Sequence, residues 1–195
     1  MLTTRVVLSH AWTADPGTAW YPHLAKQLRG VGHEVRVPQL PEPMTPRREP
    51  WREALAAEAA VGPAEQTVLV GHSLGGVNVL RLLEQHDTER DGAYAGVLLV
   101  ATPARSLGFG EIEEFFDGGF DHARIRRAAG QVRVLIASDD PVLGPDPLSH
   151  VREHVETLGA TVTLTPTGGH FSPAEQCTEL PSGLALVRAA LHSRN

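Results

Sequence analysis

The sequence VLVGHSLGGVN, residues 68–78, joins two apolar runs through a short segment that contains one serine. The residues before Gly71 are apolar at consecutive positions, as in a strand buried on both faces. The residues after Gly75 have the composition of a buried helix. Ser73 lies between them, with glycine two residues to either side. The pattern Gly-x-Ser-x-Gly between a strand and a helix predicts a nucleophile elbow, a sharp turn that presents the serine at the strand end.

The glycines around this serine have a steric explanation. The turn forces Ser73 into a strained backbone conformation, and side chains at Gly71 and Gly75 would collide with the adjoining strand and helix. Gly76 lets the helix pack close to the sheet. We therefore interpret Ser73 as a nucleophile. The alternative is a glycine-rich turn in which the serine has no chemical role.

Short apolar runs alternate with amphipathic stretches along the chain. Six runs rich in Val, Leu, Ile and Thr are predicted as strands, at residues 5–10, 33–38, 67–72, 95–101, 132–138 and 160–166. Helical patterns occupy residues 19–32, 50–62, 73–86, 146–159 and 183–193. This alternation predicts a single α/β domain over residues 1–195, with a doubly wound, mainly parallel six-stranded sheet. Right-handed crossovers bring the carboxyl ends of its strands to one edge, where ligands bind.

Two segments interrupt the alternation directly after strands. Residues 38–50 form a proline-rich loop, and residues 102–130 form a small insertion with two short helices at most. The insertion holds four of the five phenylalanines: Phe109, Phe115, Phe116 and Phe120. We expect both segments to overhang the binding edge, and Phe109 and Phe116 to line a substrate pocket together with Ala11 and Phe171.

A serine nucleophile needs a base, and the base needs an acid that orients it. After a turn of this type the acid and the histidine follow the serine in chain order, each behind a later strand. The loop after the fifth strand offers Asp139 and Asp140. The loop after the sixth offers His170, behind two glycines. These residues and Ser73 form the predicted catalytic set.

The negative charge that develops on the attacked carbonyl requires two backbone N–H groups. One is predicted to be that of Leu74, at the helix N-terminus. The other is predicted in the loop after the first strand, where Trp12 is the first choice and Ala11 the second. His10 is expected to order this loop and not to act as the base.

These motifs together resemble the α/β-hydrolase superfamily: His10-Ala11-Trp12, GHSLGG at 71–76, SDDPV at 138–142 and GGHF at 168–171. The small size and the last two motifs are similar to the compact serine hydrolases typified by retinoblastoma-binding protein 9. The resemblance implies a minimal α/β-hydrolase fold without a separate lid domain. It favours Asp140 as the acid, because the superfamily places the acid directly before the Pro-Val pair. Ala11 stands where the superfamily usually has glycine.

Composition limits the partners. The formal net charge of −6 argues against a nucleic acid or an anionic membrane as partner. The chain contains one cysteine, Cys177, so an internal disulfide is excluded. No apolar stretch approaches the length of a bilayer span. We expect a soluble, cytoplasmic protein of undetermined oligomeric state.

Residues 150–154, HVREH, fit the zinc motif H-x-x-E-H. On the predicted helix, the apolar stripe consists of Leu148, Val151, Val155 and Leu158. His150 and Glu153 lie off that stripe and His154 at its margin, so we interpret them as a solvated face. We expect no metal and no cofactor.

The sequence therefore predicts a serine hydrolase that cleaves small carboxylic esters or thioesters through an acyl-enzyme. An acyltransferase or a peptidase would use the same triad. A catalytically silent interaction module on the same fold is a further alternative, against which the intact serine, aspartate and histidine argue. The natural substrate stays open.

Overall fold

A computed structural model of the chain describes residues 4–192 and contains one sheet of six parallel strands. The strands are β1 (Arg5–Ser9), β2 (Glu34–Arg36), β3 (Thr67–His72), β4 (Gly96–Val100), β5 (Val132–Ala137) and β6 (Thr161–Thr165). Their order is β2-β1-β3-β4-β5-β6, and each neighbouring pair is parallel. The predicted six-stranded doubly wound sheet is confirmed.

Helices cover both faces of the sheet. They are α1 (Tyr21–Arg29), α2 (Arg48–Ala59), α3 (Leu74–Gln85), α4 (Thr88–Asp91), α5 (His122–Ala129), α6 (Pro147–Leu158) and α7 (Pro181–His192). Apolar residues of α1 and α7 share one core with the sheet, and those of α2, α3, α5 and α6 share the other. Ser193, the last residue of the final predicted helix, lies outside the described residues.

The central strands are apolar at consecutive positions because both of their faces are covered. All residues of β3, β4 and β5 are buried. In β3, Val68 and Val70 face the core shared with α1, whereas Leu69 faces the core shared with α3. No helix within residues 4–192 has the length and hydropathy needed to cross a bilayer.

The insertion after β4 is held against α3. It contains a short 3-10 helix (Gly110–Phe115) and α5, so the expectation of two short helices is confirmed. Arg81 of α3 is buried and donates hydrogen bonds to the carbonyls of Phe115 at 2.8 Å and Gly119 at 2.7 Å. Its guanidinium also lies 4.1 Å from the centre of the Phe120 ring. The insertion is therefore fixed over the helix that begins beside Ser73.

The expected orientation of α6 was wrong. Leu148 and Val155 of the predicted apolar stripe are 43% and 45% exposed, whereas His150 and His154 are buried. The reason is the place of α6 in the fold. It covers the end of the sheet at β6, the last strand in the order, so its outer side has no neighbouring element among the described residues.

Both histidines of α6 are buried because the chain that leaves β4 needs hydrogen-bond partners. The Ala104 N–H donates to His150 Nδ1 at 3.1 Å, and His154 Nε2 lies 2.9 Å from the Thr102 carbonyl oxygen, to which it donates. Burial lowers the pKa of His154 to about 4. The HVREH motif thus supports a loop at the carboxyl edge of the sheet.

Candidate active site

Ser73 occupies a sharp turn between β3 and α3. Its backbone has φ 54° and ψ −123°, a conformation that non-glycine residues rarely adopt. A Cβ atom at Gly75 would overlap the carbonyl oxygens of Ser9 and His10, and one at Gly71 would overlap the backbone at Gly76. The steric explanation for the glycines is confirmed. The strained turn between the end of β3 and the start of α3 places the serine hydroxyl at the carboxyl edge of the sheet.

The structure brings the serine, histidine and aspartate together. His170 Nε2 lies 2.8 Å from Ser73 Oγ, and His170 Nδ1 lies 2.8 Å from Asp140 Oδ2. A carboxylate only accepts hydrogen bonds, so Nδ1 carries the proton of the neutral ring and Nε2 is free to accept from the serine hydroxyl. Asp140 and His170 are both buried, whereas Ser73 is partly exposed. The arrangement can move a proton away from the serine when it attacks a bound group.

The two adjacent aspartates have different contacts. Asp140 contacts the His170 ring, and its Oδ1 also accepts from the Val142 N–H at 2.9 Å. Asp139 instead accepts from the Gly169 N–H at 2.8 Å. Asp139 therefore holds the loop that carries the histidine, while Asp140 orients the imidazole itself.

The loop after β1 provides a free N–H near the serine. The Ala11 N–H donates to the Tyr21 hydroxyl at 3.1 Å. The hydrogen bonds found within residues 4–192 use neither the Trp12 N–H nor that of Leu74, the first residue of α3. Of the two candidates in this loop, only Trp12 therefore keeps its N–H available for an oxyanion.

His10 orders this loop through both ring nitrogens. Its Nε2 accepts from the Leu40 N–H at 3.1 Å, and Nδ1 donates to the Ala11 carbonyl at 2.9 Å. Burial lowers the pKa of His10, in agreement with this neutral form. The contact ties the loop after β1 to the proline-rich loop after β2.

The four predicted pocket residues lie in different surroundings. Phe109 is 41% exposed, with its ring centre 6.0 Å from that of Trp12. Phe116 is buried against the insertion cluster, Phe171 is buried in the core beneath the histidine loop, and Ala11 is half-buried. The structure thus places Phe109 beside the loop after β1 and buries the rings of Phe116 and Phe171.

Met44 is a neighbour of this loop that the sequence did not reveal. It is 66% exposed, and its carbonyl oxygen lies 3.5 Å from the Trp12 indole nitrogen. We call the half-buried side chain of Trp12 and the exposed side chains of Met44 and Phe109 the apolar rim. The only sequence signal for Met44 was its position in a loop that follows a strand.

No set of three or more His, Cys, Asp or Glu side chains converges as a metal-ligand group within the described part of the chain. His72 and Tyr21 are a second pair that the sequence did not reveal, since they are 51 residues apart. They meet directly behind Ser73. The sequence signal for His72 was a polar residue at the end of a fully buried strand.

Comparison with known proteins identifies relatives over nearly the whole chain. The family model described as serine hydrolase matches residues 6–189. The putative hydrolase YdeN of Bacillus subtilis is 32% identical over 181 residues, which are 92% of either chain. Its crystal structure has a TM-score of 0.89 at 31% identity, covering 96% of this chain and 98% of that one. Serine hydrolase RBBP9 of Rattus norvegicus is 26% identical, covering 97% of this chain and 96% of its own.

Proposed function

The chain belongs to the serine hydrolase family and has the α/β-hydrolase fold, and from this premise we propose that it cleaves small carboxylic esters or thioesters. The observation that carries the proposal is the hydrogen-bonded series from Asp140 through His170 to Ser73. Its strained serine and buried acid–base pair are the parts that an acyl-enzyme mechanism needs. A pure interaction module has no use for them.

In the proposed first half of the reaction, Ser73 Oγ attacks the carbonyl carbon of the substrate. His170 Nε2 takes the serine proton, and the Asp140 carboxylate stabilises the imidazolium that forms. The N–H groups of Leu74 and Trp12 donate to the oxyanion. His170 then gives the proton to the departing alcohol or thiol, and the acyl group stays on Ser73.

In the proposed second half, a water molecule attacks the acyl carbon while His170 removes its proton. The tetrahedral intermediate collapses, the bond to Ser73 Oγ breaks, and the serine regains its proton from His170. The net change is one ester or thioester bond and one water converted to a carboxylic acid and an alcohol or thiol. All of these steps use side chains and backbone groups of this chain.

The apolar rim supports a substrate with a hydrocarbon group beside the reacting carbonyl. The Trp12 and Phe109 ring centres are 6.0 Å apart, and the Trp12 N–H is the proposed oxyanion donor, so these two rings are the proposed contacts of the acyl group. Burying a side of an alkyl or aryl chain there releases water from both surfaces. We therefore propose that esters with apolar acyl groups are preferred over acetate.

The test is the hydrolysis of p-nitrophenyl esters by the purified protein and by Ser73→Ala. Removing the nucleophile of such a triad costs on the order of 10⁶ in kcat. The matched control is Ser182→Ala in α7, which should keep the wild-type rate. Ester hydrolysis that survives in Ser73→Ala would show that Ser73 is not the nucleophile. Labelling of Ser73 by a fluorophosphonate without ester turnover would favour a peptidase or an acyltransferase.

A further inference from the structure

A buried series of hydrogen bonds passes behind Ser73 and links two loops of the site through α1 and the end of β3. The Tyr21 hydroxyl accepts from the Ala11 N–H at 3.1 Å and lies 2.6 Å from His72 Nδ1. On the other side of the same ring, His72 Nε2 lies 2.8 Å from the carbonyl oxygen of His170. Tyr21 is 0% exposed and His72 is 1% exposed. The series therefore connects the loop after β1, which holds Ala11, to the loop after β6, which holds His170. The connection passes through His72, the residue that precedes Ser73.

The partners determine where the protons lie. The His170 carbonyl only accepts, so His72 carries its proton on Nε2 and donates it there. The Nδ1 atom of a neutral ring then accepts, which requires the Tyr21 hydroxyl to donate to it while accepting from Ala11. Burial, and next the proximity of His170, lower the pKa of His72 to about 3, in agreement with a neutral ring.

We propose that Tyr21 and His72 are positioning residues for the reaction, an inference that rests on the proposed role of Ser73. Their hydrogen bonds hold the Ala11 peptide, so the next N–H, that of Trp12, points at the oxyanion. They also hold the backbone of His170, so its ring stays within reach of Ser73 Oγ. Neither side chain touches the substrate, and each acts through the loop that it holds.

The neutral state of His72 has an electrostatic consequence. The ring centres of His72 and His170 are 5.5 Å apart, in a region where both side chains are buried. A positive charge on His72 would oppose the charge that His170 acquires when it takes the serine proton. A neutral His72 can donate a hydrogen bond to the His170 backbone without repelling the positive charge that the His170 ring acquires.

The direct test is Tyr21→Phe, which removes the hydroxyl and keeps the ring. Misplacement of reacting groups by small distances costs up to about 10²-fold in rate, so kcat is expected to fall by about 10- to 100-fold with KM within about twofold. The value of kcat is calculated per titrated active site, so a smaller fraction of folded protein does not lower it. The matched control is Tyr94→Phe, a buried tyrosine at the opposite edge of the sheet, with both constants within about twofold of wild type.

Two substitutions of His72 separate positioning from packing. Gln can accept from Tyr21 and donate to the His170 carbonyl, whereas Leu fills similar space and does neither. His72→Gln is therefore expected to keep a kcat at least about tenfold above that of His72→Leu. Equal rates in these two variants, or a Tyr21→Phe enzyme as active as Tyr94→Phe, would overturn the positioning role.

Nitrogen NMR of histidine-labelled protein reports the tautomer without any substrate. The wild-type spectrum should contain a histidine signal, absent in His72→Gln, with a protonated Nε2 and an unprotonated, hydrogen-bonded Nδ1, and Tyr21→Phe should change that Nδ1 signal. A protonated Nδ1 on His72 would contradict the inference. The two proposals fail separately: a wild-type protein that hydrolyses no ester refutes the proposed function, whereas the spectrum still tests the hydrogen-bonded series.

Discussion

The two edges of the sheet differ in a way that cavity size does not reveal. At the amino edge, a cleft of about 560 Å³ lies between α2, the end of α3 and α4. Two of its charged side chains, Arg90 and Asp91, form an ion pair with an N···O distance of 2.6 Å. At the carboxyl edge, side chains from three separate segments form one hydrogen-bonded series, from Asp140 through His170 to Ser73 Oγ. This cleft and the hydrogen-bonded series that ends at Ser73 are thus at opposite ends of the strands.

Residues with strained backbone lie at the same edge of the sheet as Ser73 and not in the cleft. The non-glycine residues with positive φ within residues 4–192 are Thr13, Ala19, Glu42, Ser73, Ala101, Phe171 and Gln176. Each follows the carboxyl end of a strand, and none lines the cleft. Such conformations cost of order 1–3 kcal/mol each and persist where the surroundings enforce them. The candidate site therefore lies at the edge of the sheet that holds the strained residues, and the cleft lies at the other edge.

The largest expected difference between the edges comes from their histidines. His170→Ala should lower kcat on p-nitrophenyl esters by on the order of 10⁶, about as much as Ser73→Ala, because the groups act as a unit. His86→Ala, in the cleft, should leave kcat within about twofold of wild type. A similar loss in both variants would remove the distinction between the two edges.

The two adjacent aspartates at the carboxyl edge are expected to affect kcat to different extents. Asp140→Asn should lower kcat by about 10⁴, since it disturbs the tautomer and the charge stabilisation of His170. Asp139→Asn keeps an oxygen that can accept from the Gly169 N–H and does not alter the contact with the His170 ring, so a fall of at most about 10²-fold is expected. Steady-state kinetics on one ester measures both. A larger loss at Asp139 would reverse the two roles.

A smaller effect is expected at the apolar rim. Phe109→Ala should lower kcat/KM for a p-nitrophenyl hexanoate about fivefold more than for the acetate, the equivalent of about 1 kcal/mol of apolar contact. Leu148→Ala is the matched control, since Leu148 is similarly exposed but lies on α6. An equal loss for both esters would show that the longer chain does not contact Phe109.

Buried histidines at the carboxyl edge should make stability depend on pH. Burial lowers the pKa of His72 to about 3 and that of His154 to about 4. Below about pH 6.5 the unfolded chain takes up protons that the folded protein refuses, so the free energy of unfolding falls as the pH falls. Each group adds a slope of up to about 1.4 kcal/mol per pH unit.

Urea unfolding between neutral pH and pH 5 measures that slope, and His154→Gln should reduce it. The variant keeps a side-chain donor for the Thr102 carbonyl but has no group that titrates. A slope unchanged by the substitution would mean that His154 takes up its proton equally in the folded and unfolded states.

Much of this arrangement follows from local sequence. The central strands are predictable because parallel strands covered on both faces are apolar at consecutive positions. The glycines at 71 and 75 are predictable because the steric need for them arises within one short segment around Ser73. The order of serine, aspartate and histidine, each after a later strand, is the one that a nucleophile elbow predicts. These features need no knowledge of distant contacts.

Other features depend on contacts between distant segments. The apolar stripe of α6 predicted the wrong buried face. Hydrophobic periodicity contains no information about the hydrogen bonds that His150 and His154 form with backbone groups after β4. The pairing of Tyr21 with His72 needs α1 and β3 to be in place first. Buried polar partners are therefore the part of the site that sequence patterns miss.

If Ser73 is an activated nucleophile, as proposed, a fluorophosphonate should label it covalently. The phosphonyl group resembles the tetrahedral intermediate, so the oxyanion hole and His170 should drive its reaction with Ser73. Intact mass and peptide mapping should show one adduct per chain, on Ser73, absent in Ser73→Ala and greatly slowed in His170→Ala. Folded protein that takes up no label, or takes it up at another residue, would contradict the account.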